Sequence, residues 1–420
     1  MTMIDRRDFL RYLFAASAST ATFVYGNAFR PRLRFAQAAV GKTVVVIFQR
    51  GGCDGLNTVV PYGDAGYYTL RSDIAIAPPN SNDPASAIDL NGFFGLHPGL
   101  AALAPIYRAG RLAVLPAVQY PNASQSHFDG QFNIETAVPD TGFDGWLNRH
   151  LQTLPQAAAL RAVGFGTELP DALRGQAVVS AFNDIASFTL GLPASDEQLL
   201  LADLSRVYSQ DPDNTRAYRA LVQEHGRVMV NDLAVLSGIN PNTYVPANGA
   251  VYPSSGYGRQ LRQIAQLIKA GLGLEVAALS IGGWDTHSDQ GGGEANGQQA
   301  RRHQDFAAGI AALYTDLGAQ ASDVVIVTMT EFGRTSADNA SRGTDHGHAS
   351  AWFVAGGSVR GGIYGGWPGL APTQLLSGRY LDHSLDFRDV LGEILTRHMG
   401  NSNVGALLPG HTLSPVGLLS

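Results

Sequence analysis

Residues 43–55 read TVVVIFQRGGCDG: a β-branched and apolar run, Thr43 to Phe48, that passes straight into Gln49, Arg50, two glycines, Cys53 and Asp54. A run this short, with no polar alternation, reads as a strand buried on both faces, as in a parallel sheet. Four more runs repeat the pattern. Leu112–Val118 leads into Tyr120-Pro121-Asn122-Ala123-Ser124-Gln125-Ser126-His127. Val276–Ile281 leads into Gly282-Gly283-Trp284-Asp285-Thr286-His287, and Val324–Met329 into Thr330-Glu331-Phe332-Gly333-Arg334. Ser350–Ala355 instead follows its polar loop, Asp345-His346-Gly347-His348. All five are read as parallel strands.

Helical periodicity fills the intervals. It covers Pro98–Ala109, Thr215–Leu236, Gly258–Ala270 and Gln298–Leu317, the last with Phe306, Ile310, Leu313 and Leu317 on one stripe. Alternating strands and helices predict an α/β fold, a mostly parallel central sheet with helices on both faces. Residues 150–257 are less regular. Short strands are expected at Ala162–Phe165 and Ala177–Ser180, then two helices and a loop rich in Pro, Asn and Gly. This segment reads as an insertion or cap over the site, within one domain spanning residues 39–420.

The N-terminal residues have a different purpose. Arg6-Arg7-Asp8-Phe9-Leu10 and Arg11 form a twin-arginine pattern, followed by a weakly apolar stretch from Tyr12 to Tyr25 and a small-x-small site at Ala36-Gln37-Ala38. Residues 1–38 are therefore expected to be a signal peptide, with the mature chain starting near Ala39 and carried to the periplasm or beyond by the twin-arginine translocase. That route favours a protein folded, often around a cofactor, before export. No later apolar run has the length of a membrane span, so no stable span is expected after cleavage. A formal net charge of −6 with no basic run argues against nucleic acid as a partner. The one cysteine, Cys53, excludes an internal disulfide and reads as a buried thiol more readily than a reactive one.

In open α/β sheets ligands sit beyond the carboxyl ends of the strands. The loops there carry Asp54, Ser126, His127, Asp285, His287 and Glu331, and a returning chain would add Asp345, His346 and His348. Mixed carboxylate and imidazole donors suit a divalent ion. Ser126 is then the candidate nucleophile, His127 its helper, and Arg334 the planar donor for a tetrahedral anion. Plainer readings compete. Asp54 can stabilise a turn, Ser124 and Ser126 can cap one, and Glu331 can pair with Arg334. His150, His225, His303 and His398 fall in helical stretches and read as packed or surface residues; His383 and His411 stay undecided.

Taken together, residues 51–57, 126–128, 282–287, 330–335 and 345–348 resemble the DUF1501 family of bacterial exported proteins, over about residues 43–400 of this chain. That family is similar in turn to the alkaline phosphatase and sulfatase superfamily. The resemblance implies a central α/β sheet, Asp and His metal ligands, and Asp54, Ser126, Asp285 and His287 in the superfamily's order. Two alignments remain for the rest. Either Asp345-His346 is the superfamily's Asp-His pair, or Glu331 takes the place of that Asp and His346 or His348 is the final histidine, which the stretch Asp382–Leu395 supports. No Cys-x-Pro-x-Arg or Ser-x-Pro-x-Arg occurs, which argues against a formylglycine sulfatase.

The expected activity is metal-dependent hydrolysis of a phosphate or sulfate ester, on a small molecule or a polymer. Asp54, Asp285, His287, Glu331, Asp345, His346 and His348 are the expected ligands of zinc, manganese or calcium. The rivals are a non-catalytic metal- or ligand-binding protein on the same scaffold, and an accessory protein to an exported partner.

Overall fold

The computed structural model describes residues 41–138, 144–154, 160–209 and 217–419; the signal-peptide reading lies outside them. Nine strands form the central sheet: β1 (Thr43–Arg50), β2 (Leu112–Gln119), β3 (Ala162–Phe165), β4 (Ser180–Phe182), β5 (Val276–Gly282), β6 (Val324–Met329), β7 (Ser350–Gly356), β8 (Gly362–Ile363) and β9 (Leu385–Asp386). Their order is β8-β2-β7-β6-β1-β5-β3-β4, with β9 also paired to β2. β1 lies at the centre, parallel to β5 on one side and to β6 on the other.

Alternation along the strands sorts side chains onto two cores, because successive residues of a strand point to opposite faces. Val45 and Ile47 face one core, where α4 (Gly256–Lys269) contributes Leu261 and Ile264 and α5 (Gln298–Leu317) contributes Phe306, Ile310 and Leu313. Val44, Val46 and Phe48 face the other, against Phe387, Val390 and Leu391 of α6 (Phe387–Glu393). The expected layers are therefore present, with α1 (His127–Thr136), α2 (Ala194–Tyr208) and α3 (Ala217–Leu236) completing the named helices. Pro98–Leu103 is a 3-10 turn that continues as a helix over Ala104–Arg108, with His97 capping it by accepting from the Gly99 amide.

Two expectations are corrected. Ser350–Ala355 is not parallel: β7 runs antiparallel to both β2 and β6. Its entrance therefore lies where the parallel strands end. The second short strand begins at Ser180, where residues 177–180 had been expected to form it. Residues 150–257 do more than cover a face, since β3 and β4 continue the sheet beyond β5 in parallel register. Among the described residues no helix is long and apolar enough to cross a membrane.

Phe306 is fully buried, its ring edge-on to Trp284 at 5.8 Å and near Phe353 at 6.3 Å. Phe306→Ala removes a side chain that joins α5 to the sheet and to the Trp284 loop. It is expected to cost about 3–5 kcal/mol, read as a lower denaturant midpoint at unchanged slope.

Candidate metal centre

The loops after β1, β2, β5 and β6 meet at one edge of the sheet, and the segment entering β7 joins them. The junction is tight. Gly51 has φ +125, and a Cβ there would stand 2.6 Å from the Asp285 backbone nitrogen, so only glycine lets the β1 and β5 loops touch. Gly347 lies against the Arg334 backbone, which a Cβ would meet at 2.2 Å. The amide of Gly347 donates to Gly333 O and that of Gly333 to His348 O, both at 2.8 Å. These contacts present His346 and His348 from one pinned stretch.

Three imidazoles converge on Asp285. His346 Nδ1 lies 2.8 Å from the Gln125 carbonyl, His287 Nδ1 3.1 Å from Asp345 Oδ1, and His127 Nδ1 2.9 Å from Glu331 Oε1. Each of those partners accepts, so a neutral ring with its proton on Nδ1 satisfies each bond and leaves Nε2 a lone pair. The Nε2 atoms then face inward. Those of His287 and His346 are 3.1 Å apart, and they stand 3.1 and 3.3 Å from Asp285 Oδ1; His127 Nε2 is 3.4 Å from Asp285 Oδ2. In that form two lone pairs face each other, a repulsion that either a shared proton or a cation between them relieves. An imidazole whose other nitrogen donates to a carboxylate or carbonyl is the usual form of a histidine ligand. The Phe332 ring packs, tilted, against both His127 and His346, with centroids 5.0 and 4.7 Å away. Asp285 and His287 are nearly half exposed, so the opposite side is open.

The charges fit this arrangement. Glu331 is fully buried; burial pushes its pKa up, but hydrogen bonds from His127, Gln131 and the Gly51 amide outweigh that and hold it below the ordinary value. The bond to Glu331 raises His127. Burial lowers His346, which keeps it neutral and able to bind an ion. Asp285 and Asp345 are both held low: burial opposes this, but Arg334 at Asp285 and His287 with Asn339 at Asp345 overcome it.

Of the expected ligands, the structure brings Asp285, His287 and His346 together and adds His127, expected as a helper. Glu331 and Asp345 stand one step back and orient His127 and His287. Asp54 is elsewhere. It is buried in an ion pair with Arg71, whose Nη2 is 2.9 Å from Asp54 Oδ1, and it accepts from Gln290 at 2.6 Å. A carboxylate so matched has little charge left for an ion. Arg334 is also corrected. It is buried, and its donors go to the carbonyls of Gly51, Gly52, Trp284 and Thr344 and to Asp285, so all but one Nη1 hydrogen is taken and its side chain has no exposed surface to offer an anion. It is a strut between loops, paired with Asp285 and not with Glu331.

Ser126 precedes α1 as its N-cap residue, and its hydroxyl takes no hydrogen bond among the described residues. Its amide donates to Ser124 Oγ at 3.1 Å. Cys53 is buried, and burial raises its thiol to about 12, which removes it from nucleophilic roles. His348 does not join the three histidines around Asp285. It faces His383 and Asp382, and burial lowers it to about 4. Sequence reasoning missed Arg71 altogether and left His383 undecided, since neither belongs to a motif at a strand end.

Fold and site define an α/β protein with a cluster of histidines and a carboxylate, able to hold an ion, at the carboxyl edge of its sheet. The chain belongs to the DUF1501 family, whose model, described as "Protein of unknown function (DUF1501)", matches residues 117–409. Comparison with curated proteins gives no match. Among solved structures, the lipoteichoic acid synthase LtaP from Listeria monocytogenes superposes with a TM-score of 0.34 and 9% identity, covering 79% of this chain and 69% of that one. The phosphonate monoester hydrolase of Agrobacterium radiobacter does so with a TM-score of 0.33 and 13% identity, covering 89% and 78%. At that level of likeness, the reaction has to be argued from this chain's own residues.

Asp54→Asn separates the two roles considered for this carboxylate. It leaves Arg71 as an unmatched buried charge and is expected to cost about 3–5 kcal/mol, with the metal content of the folded protein unchanged. Burial raises the Asp54 pKa, but Arg71 more than offsets this and depresses it below 3.8. The stabilisation is therefore complete above that pH and lost as pH falls through the folded value. Unfolding curves should show a constant gap between wild type and variant from neutral pH down to mildly acidic pH, narrowing in strong acid.

Proposed function

We propose that this chain is an exported metal-dependent hydrolase of a phosphate or sulfate ester, with its ion held by Asp285, His287, His346 and His127. The observation that carries the reading is the facing pair of imidazole Nε2 atoms, His287 and His346, 3.1 Å apart beside a carboxylate. Three imidazoles and one carboxylate favour zinc or manganese over calcium, which prefers oxygen donors. A divalent ion there would act as a Lewis acid toward the ester and favour ionisation of a nearby hydroxyl.

The chain's own groups supply the rest. Ser126 stands at the start of the ten-residue helix α1 with its hydroxyl unengaged, where the free amides of the first turn favour negative charge. In this reading its oxygen bonds to the ester phosphorus or sulfur as the ester oxygen leaves and takes up the serine proton as alcohol, and water then hydrolyses the serine ester to free acid and Ser126. Glu331 holds the His127 ring in place through Nδ1, and the half-exposed Asp285 and His287 leave room for the substrate. Arg379, exposed and 3.4 Å from Asp345, is a cation on the open side and replaces Arg334 as the candidate anion contact. The motif order, which resembles that of the alkaline phosphatase superfamily, supports the same reading, and the twin-arginine pattern at residues 6–7 supports action in the periplasm or outside the cell.

A second reading is a protein that holds the ion without turning over an ester. The internal pairing of Asp54 and of Arg334 favours it, since the first is withdrawn from a metal ion and the second from an incoming anion.

Elemental analysis of the purified full chain should find near-stoichiometric zinc or manganese, falling at least tenfold in His346→Ala. Hydrolysis of aryl phosphates and sulfates should fall about 100-fold or more in Ser126→Ala, with the metal retained. Metal without hydrolysis, or hydrolysis indifferent to Ser126→Ala, selects the second reading. A metal-free wild type defeats both.

A further inference from the structure

The motif Asp345-His346-Gly347-His348 does not serve one site. Asp345 orients His287 and His346 joins the centre, but His348 meets a different group. Its Nε2 lies 3.1 Å from His383 Nδ1 and 3.8 Å from Asp382 Oδ1, and His383 Nδ1 lies 3.0 Å from that same oxygen. We infer that His348, Asp382 and His383 form a second, separate binding site for a divalent transition-metal ion.

Donor counting motivates this. Asp382 is an acceptor, and its Oδ1 already receives the His383 backbone N–H at 2.8 Å. Each imidazole nitrogen facing it is either a donor or an acceptor. If His383 Nδ1 carries a proton, that single proton is claimed by both Asp382 Oδ1 and His348 Nε2. If His348 Nε2 carries it, His383 Nδ1 is an acceptor facing a carboxylate oxygen at 3.0 Å. Either neutral arrangement leaves two electron-rich atoms opposed, and a cation at their common focus relieves all three contacts. Two imidazoles and one carboxylate with further positions open to water are the donor set of a zinc-type site and a poor one for calcium or magnesium.

The atoms are held by framework. The Ala349 amide donates to Leu381 O at 3.2 Å and the Ser384 amide to Ala117 O at 2.9 Å, so the Asp382–His383 turn is fastened on both sides. Directly after it, β9 pairs with the end of β2, Leu385 opposite Val118. The His348 carbonyl accepts from the Gly333 amide and from Gln119 Nε2. His348 is 4% exposed, His383 22% and Asp382 41%, so the site has a buried base and an open mouth. It shares no residue with the Asp285 centre and does not rest on the hydrolase reading. An ion here would tie the segment before β9 to the entrance of β7. That segment carries Arg379 and Tyr380, which reach Asp345 and Gln125 on the rim of the first centre.

The test uses the full chain stripped with chelator and titrated with Zn²⁺ alone, then with Co²⁺ alone for its absorption spectrum. Wild type should bind two equivalents. His383→Ala and Asp382→Asn should each lose one equivalent, or weaken one site at least 100-fold. Their metal-free thermal unfolding should match that of wild type. His346→Ala should keep the equivalent that His383→Ala loses, and His346→Ala with His383→Ala should bind none. Loss of an equivalent in His383→Ala but none in His346→Ala would uphold this site while removing the first centre. Unchanged stoichiometry and affinity in both His383→Ala and Asp382→Asn would overturn the proposal.

Discussion

β7 runs against both of its neighbours, and it begins at Ser350, one residue beyond Asp345-His346-Gly347-His348. In a sheet of parallel strands, side chains gather at the carboxyl ends because each strand delivers its loop there. A strand inserted the other way delivers its entrance to the same edge. This reversal places His346 beside Asp285 and His287, which come from β5, and His348 beside the turn before β9. A β7 parallel to its neighbours would carry the whole motif to the far edge, and neither histidine group would exist.

The edge is firm because its buried charges are matched before any ion is considered. Asp54 faces Arg71, Arg334 faces Asp285 and four carbonyls, and Glu331 accepts from a backbone amide, an amide side chain and an imidazole. An unmatched buried charge would cost several kcal/mol, so each of these contacts constrains the loop that carries it. The imidazoles are positioned by what remains. Each Nδ1 is committed to an acceptor on a neighbouring loop, and Nε2 can only point inward. The same logic explains why two residues that read as ligands became supports: Glu331 and Asp345 hold rings in place more than they face the focus.

Much of the architecture was legible in the chain. The runs Thr43–Phe48, Val276–Ile281 and Val324–Met329 are strands, since a short apolar run rich in β-branched residues and bounded by polar residues or glycine packs most readily as a buried strand. Gln298–Leu317 is a helix over the predicted span because its apolar stripe has a single period. Asp285, His287 and His346 were also readable as a set, being chemically unusual residues at strand ends.

The direction of β7 was not legible, because an apolar run has the same pattern whichever way its neighbours point. Nor were the partners of the charged residues: Asp54 reads alike whether it meets an ion or a guanidinium, and Arg71, seventeen positions on, carries no mark of the meeting. His383 likewise looks like any loop histidine until β9 pairs with β2 and brings it to His348. The sequence by itself determined the strands, the helices and which residues have donor atoms to offer, since these follow from local pattern and chemistry. Which of those atoms face one another was decided only by the tertiary structure, because the contacts lie between loops far apart in the chain and depend on strand order and direction.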